Sequence, residues 1–234
     1  QRAGTRFFLR YGLRLPVWQD IGPTRVCYFD ANHQVIDTIG YGSGHAYSTA
    51  FSPEPRLNVR YLLNEKSAVN ASYSRTTQFL QLLSASTSPF TSLEVWAPCG
   101  PNIPAQTADQ VAAGYTLQVA QARYTLSAEA YYKWFHDHLD YKDHANLLFN
   151  TLIEGELRFG TAWSYGIELM IRKTTGNLTG WVGYTWSRAF IRTPGVNGGN
   201  TYRANYDRPD NVCVNLSYDT RKHWTFTANW IYLT

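Results

Sequence analysis

The chain has 234 residues, enough for one large domain or two small ones, with charged residues at only 16% and aromatics at 15%, among them 8 Trp and 17 Tyr. Low charge with many rings excludes a disordered segment, which needs the reverse balance, and a coiled coil, which needs Glu, Lys and Leu in quantity. The net charge of +4 is spread without a Lys/Arg block, so a nucleic-acid partner is excluded as well.

Alternation of apolar and polar residues dominates from the first segment to the last, and period 2 is the strand template. In the first strand Phe7, Leu9, Tyr11, Leu13 and Leu15 oppose Arg6, Phe8, Arg10, Gly12 and Arg14. In the next two, Leu57, Val59 and Tyr61 oppose Arg56, Asn58 and Arg60, and Val69, Ala71 and Tyr73 oppose Asn70, Ser72 and Ser74. Val111, Ala113, Tyr115, Leu117 and Val119 share a face in 109–119. In 124–134, Leu126, Ala128, Ala130, Tyr132 and Trp134 oppose Thr125, Ser127, Glu129, Tyr131 and Lys133. In 163–172, Trp163, Tyr165, Ile167, Leu169 and Ile171 oppose Ser164, Gly166, Glu168, Met170 and Arg172. Val182, Tyr184 and Trp186, then Val212, Val214, Leu216 and Tyr218, then Trp224, Phe226, Ala228, Trp230 and Tyr232 complete about nine strands. No helix is expected.

The connections alternate between short and long. Short polar links fall near 64–67, 120–123, 174–179 and 219–222, and long ones near 16–53, 84–107, 142–160 and 192–209. Short turns at one end and long loops at the other describe an outer-membrane meander, with long loops extracellular and short turns periplasmic. The apolar face mixes Ala with rings, as a lipid-facing surface does, and Trp134, Trp163, Trp181, Trp186, Trp224 and Trp230 sit toward strand ends, where amphipathic rings suit the membrane boundary. The competing reading, a soluble β-sandwich binding module, expects shorter strands of about 5–6 residues.

Candidate sites follow from the faces. Arg10, Arg14, Arg56 and Arg60 fall on the polar face of two consecutive strands, and Glu129, Lys133, Glu168 and Arg172 on that of a later pair. In a barrel these face the lumen, to guide an anionic solute or to pair with a domain that plugs it. His136 and His138, two apart, would share a strand face, but no converging ligand from another segment suggests a metal. No Ser–His–Asp order, HExxH or phosphate loop is present, so no catalytic residue and no cofactor is assigned. Cys27 and Cys99 fall in consecutive long loops, where a disulfide is one option. Tyr47, Phe90, Trp96, Tyr202 and Tyr206 are candidate ligand-binding rings of the loops.

The ordered set PRLNVRYLLNEKSAVNASYSR (55–75), GPNIPAQTADQVAAGY (100–115), EAYYKWFHDHLDYKDHANLLFN (129–150), AWSYGIELMIRK (162–173), GWVGYTWSRAF (180–190), RANYDRPDNVCVNLSY (203–218) and WTFTANWIY (224–232) resembles the C-terminal portion of the barrel of a TonB-dependent outer-membrane receptor, of the kind common in Bacteroidetes. The resemblance implies an all-β, partial transmembrane antiparallel meander, about nine strands of a 22-stranded barrel. It further implies a plug domain outside this sequence, TonB as the partner that supplies energy, import of a scarce solute and no enzymatic activity. A surface lipoprotein over the loops and lipid or lipopolysaccharide around the wall are the other expected partners. A structural or secretion-associated barrel without transport is the alternative. Bacterial single-chain barrels have an even number of strands, so an odd count predicts that residues 1–234 form an open sheet rather than a closed barrel.

Overall fold

Successive side chains of a strand point to opposite faces, so the alternation above fixes which residues share a surface once the strands are in register. The computed structural model describes residues 2–3, 6–84, 94–147 and 150–234. In chain order its strands are β1 (Arg2–Ala3), β2 (Phe7–Arg14), β3 (Val17–Ile21), β4 (Thr24–Phe29), β5 (Val35–Tyr41), β6 (Ala46–Phe51), β7 (Glu54–Leu62), β8 (Ser67–Gln78) and β9 (Leu80–Ser84). They continue with β10 (Glu94–Pro98), β11 (Gln106–Val119), β12 (Tyr124–Tyr141), β13 (Leu157–Lys173), β14 (Leu178–Arg192), β15 (Tyr202–Arg203), β16 (Asp210–Asp219) and β17 (Thr225–Leu233). The helical content among the described residues is two 3-10 turns, Ile153–Glu156 and Asn197–Gly199. No helix there is long and apolar enough to cross a membrane.

One sheet runs β1-β2-β7-β8-β11-β12-β13-β14-β16-β17, with β15 added to β14, and every neighbouring pair is antiparallel. Setting aside the two-residue β1 and β15, its members are the nine strands expected from the alternation. Among the described residues its outer strands β1 and β17 do not pair with each other, so the sheet is open. The turns at one end are tight. Residues Ala120, Gln121 and Ala122 between β11 and β12 all take left-handed φ, at 50, 57 and 63°, which lets four residues reverse the chain.

Two of the long links carry paired strands among the described residues. The 16–53 link folds into β3–β6 with β4–β5 nested within it, and the 84–107 link joins β9 to β10 in a further hairpin. These strands have 5 to 7 residues each, too short for period 2 to stand out, and they satisfy their backbones in pairs rather than in the main sheet. At 18 and 17 residues, β12 and β13 are far longer than the ~9–11 that cross a bilayer, so their ends stand outside it.

The register carries the two faces across the wall. One row reads Leu9, Val59, Ala71, Ala113, Ala130, Ile167 and Trp186. The adjacent row on the other face reads Arg60, Asn70, Gly114, Glu129, Glu168, Thr185 and Asn211. On the apolar face Tyr132, Trp134, Trp163, Tyr165, Trp186 and Phe190 pack at centroid distances of 4.5–6.2 Å into a belt near the long-loop end. Trp181 departs from the boundary role expected of it. It is opposite Arg172 and Asn215 and therefore on the polar face. Protein-only cores lie at the long-loop end. One joins Leu83, Ala97, Ile103 and Leu157, and the other joins Ala162, Ile191 and Ala204.

Candidate functional site: the polar wall and the extracellular cap

The polar face gathers the eight charged candidates, but only some meet. Arg14 and Arg56 converge on Glu54, with N–O distances of 3.6 and 3.3 Å. Glu54 is 1% exposed and also accepts the Thr77 backbone N–H at 2.9 Å, so it acts as an anchor for both arginines. Sequence reading missed Glu54 because it stands at a strand start, before the alternation begins. Arg10 and Arg60 remain exposed on the same face.

Farther along the wall, Glu129 and Glu168 are direct cross-strand partners, an arrangement in which like charges repel. The Asn70 amide donates to Glu129 Oε2 at 3.1 Å. Gly114 stands between them in the row, where a Cβ would lie 2.9 Å from Asn70 Oδ1 and 3.1 Å from Glu129 Oε2. A cavity of about 320 Å³ opens here, bordered also by Thr185, Asn211 and Cys213. Lys133, four residues along from Glu129, leans over the Phe135 ring, 5.5 Å from its centroid, while Arg172 is exposed toward the short-turn end.

The histidine reading is corrected by a β-bulge. His136 pairs with Thr161 and His138 with Gly160, which leaves Asp137, at φ 55°, as an extra residue. The two imidazoles therefore face opposite sides. His136 Nε2 lies 3.3 Å from Asp109 Oδ2, and Asp109 also takes two hydrogen bonds from Arg75 at 2.8 Å and one from the Tyr73 hydroxyl at 2.7 Å. Asp109 was not foreseen as the centre of a network. Among the described residues His138 Nδ1 has no hydrogen-bond partner, and no three His, Cys, Asp or Glu side chains gather as metal ligands.

The loop rings do not form one site. Tyr47 borders a cavity of about 200 Å³ and stacks on Tyr41 at 5.1 Å. Burial, with Asp20 and Glu154 nearby, pushes its hydroxyl pKa up. Tyr202 packs on the Ala162 cluster and donates to the Asp140 carboxylate, and burial followed by that bond raises its pKa. Trp96 and Tyr206 are 62% and 60% exposed, and Phe90 lies outside the described residues. Cys27 and Cys99 border the same cavity as free thiols. The Thr38 hydroxyl donates to Cys27 Sγ at 3.6 Å, and burial pushes the Cys99 thiol up to about 11.

An antiparallel wall with one lipid-compatible face, one polar face and folded loops at a single end belongs to an outer-membrane β-barrel. Residues 3–234 match the family described as TonB dependent receptor-like, beta-barrel, and the chain belongs to that family. No curated protein matches it. Among solved structures it is similar to the FrpB iron transporter from Neisseria meningitidis (F3-3 variant), at 14% identity and TM-score 0.60, covering 98% of this chain and 30% of that one. It is also similar to the ferripyoverdine receptor of the outer membrane of Pseudomonas aeruginosa, at 15% identity and TM-score 0.58, covering 96% of this chain and 26% of that one. These likenesses concern the fold, and the chain spans less than a third of either structure's length.

Proposed function

We propose that this chain is a wall sector of a TonB-dependent importer, whose barrel is closed by further strands and whose lumen holds a plug domain. TonB, drawing on the inner membrane, moves the plug and admits a scarce solute captured by the loops. The observation that carries this reading is the Glu129–Glu168 pair. Two carboxylates in direct register on a lumen-facing row repel each other, and a cation brought against them from another part of the protein would relieve that repulsion. A plug supplies such a group, and the exposed Arg10, Arg60 and Arg172 on the same face complement acidic positions on it. Arg14 and Arg56 already have Glu54 as a partner within the wall.

The solute is left open. The two similar structures are an iron transporter and a ferripyoverdine receptor, and at 14–15% identity the likeness concerns the fold and does not carry their cargo to this chain. The test uses the full-length receptor in cells. Glu129→Gln combined with Glu168→Gln should lower energised uptake and raise passive entry of a bulky antibiotic, because the plug is held less firmly. Unchanged antibiotic entry with normal surface levels would count against a plug contact here. Uptake that persists without TonB would remove the transport mechanism itself.

A further inference from the structure

The 200 Å³ cavity lies among β3, β4, β6, the 98–103 turn and the 151–154 segment. Asp20, on its wall, is 8% exposed. Its Oδ1 accepts the Trp18 indole N–H at 2.7 Å, while Oδ2 has no hydrogen-bond partner among the described residues. A buried carboxylate oxygen without a donor is unfavourable, and such atoms in native proteins call for an occupant. Space exists for one. Oδ2 lies 3.6 Å from where a Cβ on Gly100 would stand, an ordinary contact distance, so a methyl group there would fit while covering one side of the oxygen.

The surroundings select the occupant. Glu154 borders the same cavity, fixed by the Asn102 amide at 2.6 Å, and both carboxylates bear on the Tyr47 hydroxyl. Arg25 borders it too, but is exposed on the rim. An anion is therefore disfavoured. A divalent metal needs several converging donors, and no three His, Cys, Asp or Glu side chains meet among the described residues. Val26, Phe29 and Ile103 supply an apolar side. The volume equals about seven waters at ~30 Å³ each, enough for a small organic ion.

We propose that this cavity binds a compact organic ammonium group, with Asp20 Oδ2 accepting its N–H and the apolar side receiving its carbon chain. The inference rests on the reading that the long links form the surface-facing cap, and it names a chemical class that the cap takes. The experiment is calorimetric titration of the purified full-length receptor in detergent with n-butylammonium chloride at constant ionic strength. Butyramide serves as the neutral analogue and Ca²⁺ as the metal arm. Butylammonium should bind saturably, and butyramide at least tenfold more weakly. Asp20→Asn should weaken butylammonium about ten- to a hundredfold, the range for losing a charged hydrogen bond. Gly100→Ala keeps the carboxylate and narrows its approach, so it should weaken binding several-fold, and it serves if the Asn variant fails to fold. The proposal is overturned by absent or non-saturable butylammonium binding, equal binding of butyramide, undiminished binding in both variants, or preference for Ca²⁺. Energised uptake is a separate readout. Binding without uptake would break the transport reading alone, and uptake without binding would break this one alone.

Discussion

Ile167 and Leu157 are aliphatic residues ten positions apart on β13, yet the first is 46% exposed and the second fully buried. Ile167 belongs to the membrane wall, where the apolar face of a single sheet layer is exposed among the described residues. Leu157 belongs to the cap, where the β9–β10 hairpin and the 103 turn cover it. The wall is therefore held by its hydrogen-bond ladder and by lipid, while the cap builds a small protein core of the soluble kind. The same strand obeys two solvents.

That contrast can be broken by substitution. Leu157→Ala should have the largest effect, about 2–5 kcal/mol of local cap stability. Hydrogen exchange should quicken in 80–84 and 94–98 and stay unchanged in 163–172. If both regions loosen together, cap and wall form one cooperative unit. Leu169→Arg places a charge on the lipid face and should cost about 2–4 kcal/mol near the bilayer midplane, measured by folding into vesicles. A negligible cost would mean the faces are reversed.

Smaller effects sharpen the boundary between the regions. Asp109→Ala strands the partners Arg75, Tyr73 and His136 and should cost about 1.5–3 kcal/mol by denaturant titration in detergent. His136→Ala removes one half-exposed partner and should cost only about 0–1 kcal/mol. Equal costs would show that the imidazole, not the carboxylate, organises the cluster. The Cys99 thiol gives a pH test of the cap alone. Its ordinary ionisation is near 9 and its folded value about 11, so the folded cap holds a proton that the opened cap releases between them. The Cys99 contribution to cap stability should be constant below pH 9 and decline as pH rises toward 11, so the comparison is made against a Cys99→Ser variant. Alkylation at pH 8 should reach Cys27 well before Cys99, and equal rates would show that the cap opens freely.

The wall was legible in the sequence because period 2 is the signature of a strand with two unlike surroundings. Val111, Ile167 and Val214 fall in the apolar rows that alternation assigned them, and Arg60, Glu129 and Glu168 fall in a single polar row. What was not legible had physical causes. Glu54 and Asp109 lie near strand ends, and most of their partners, among them Arg14, Thr77 and Arg75, are distant in sequence. The hairpins β3–β6 and β9–β10 are too short for a pattern. Trp181 was assigned by residue type, although its parity with Gly183 and Thr185 already put it on the polar face. His136 and His138 were paired by spacing, and a spacing rule holds only while no residue is inserted.

That insertion has a consequence for how the hairpin tolerates change. Asp137 is one residue more than the ladder uses, so the strand below it and the strand above it keep their phases independently. Deleting Asp137 restores ordinary alternation: His136 and His138 stay on opposite faces, and Leu139 and Tyr141 still point at the cap core. A deletion in an unbulged strand would turn every residue beyond it inside out. The bulge is thus a slip joint, which lets the length of the arm vary by one residue without miswriting either the membrane wall or the cap it supports.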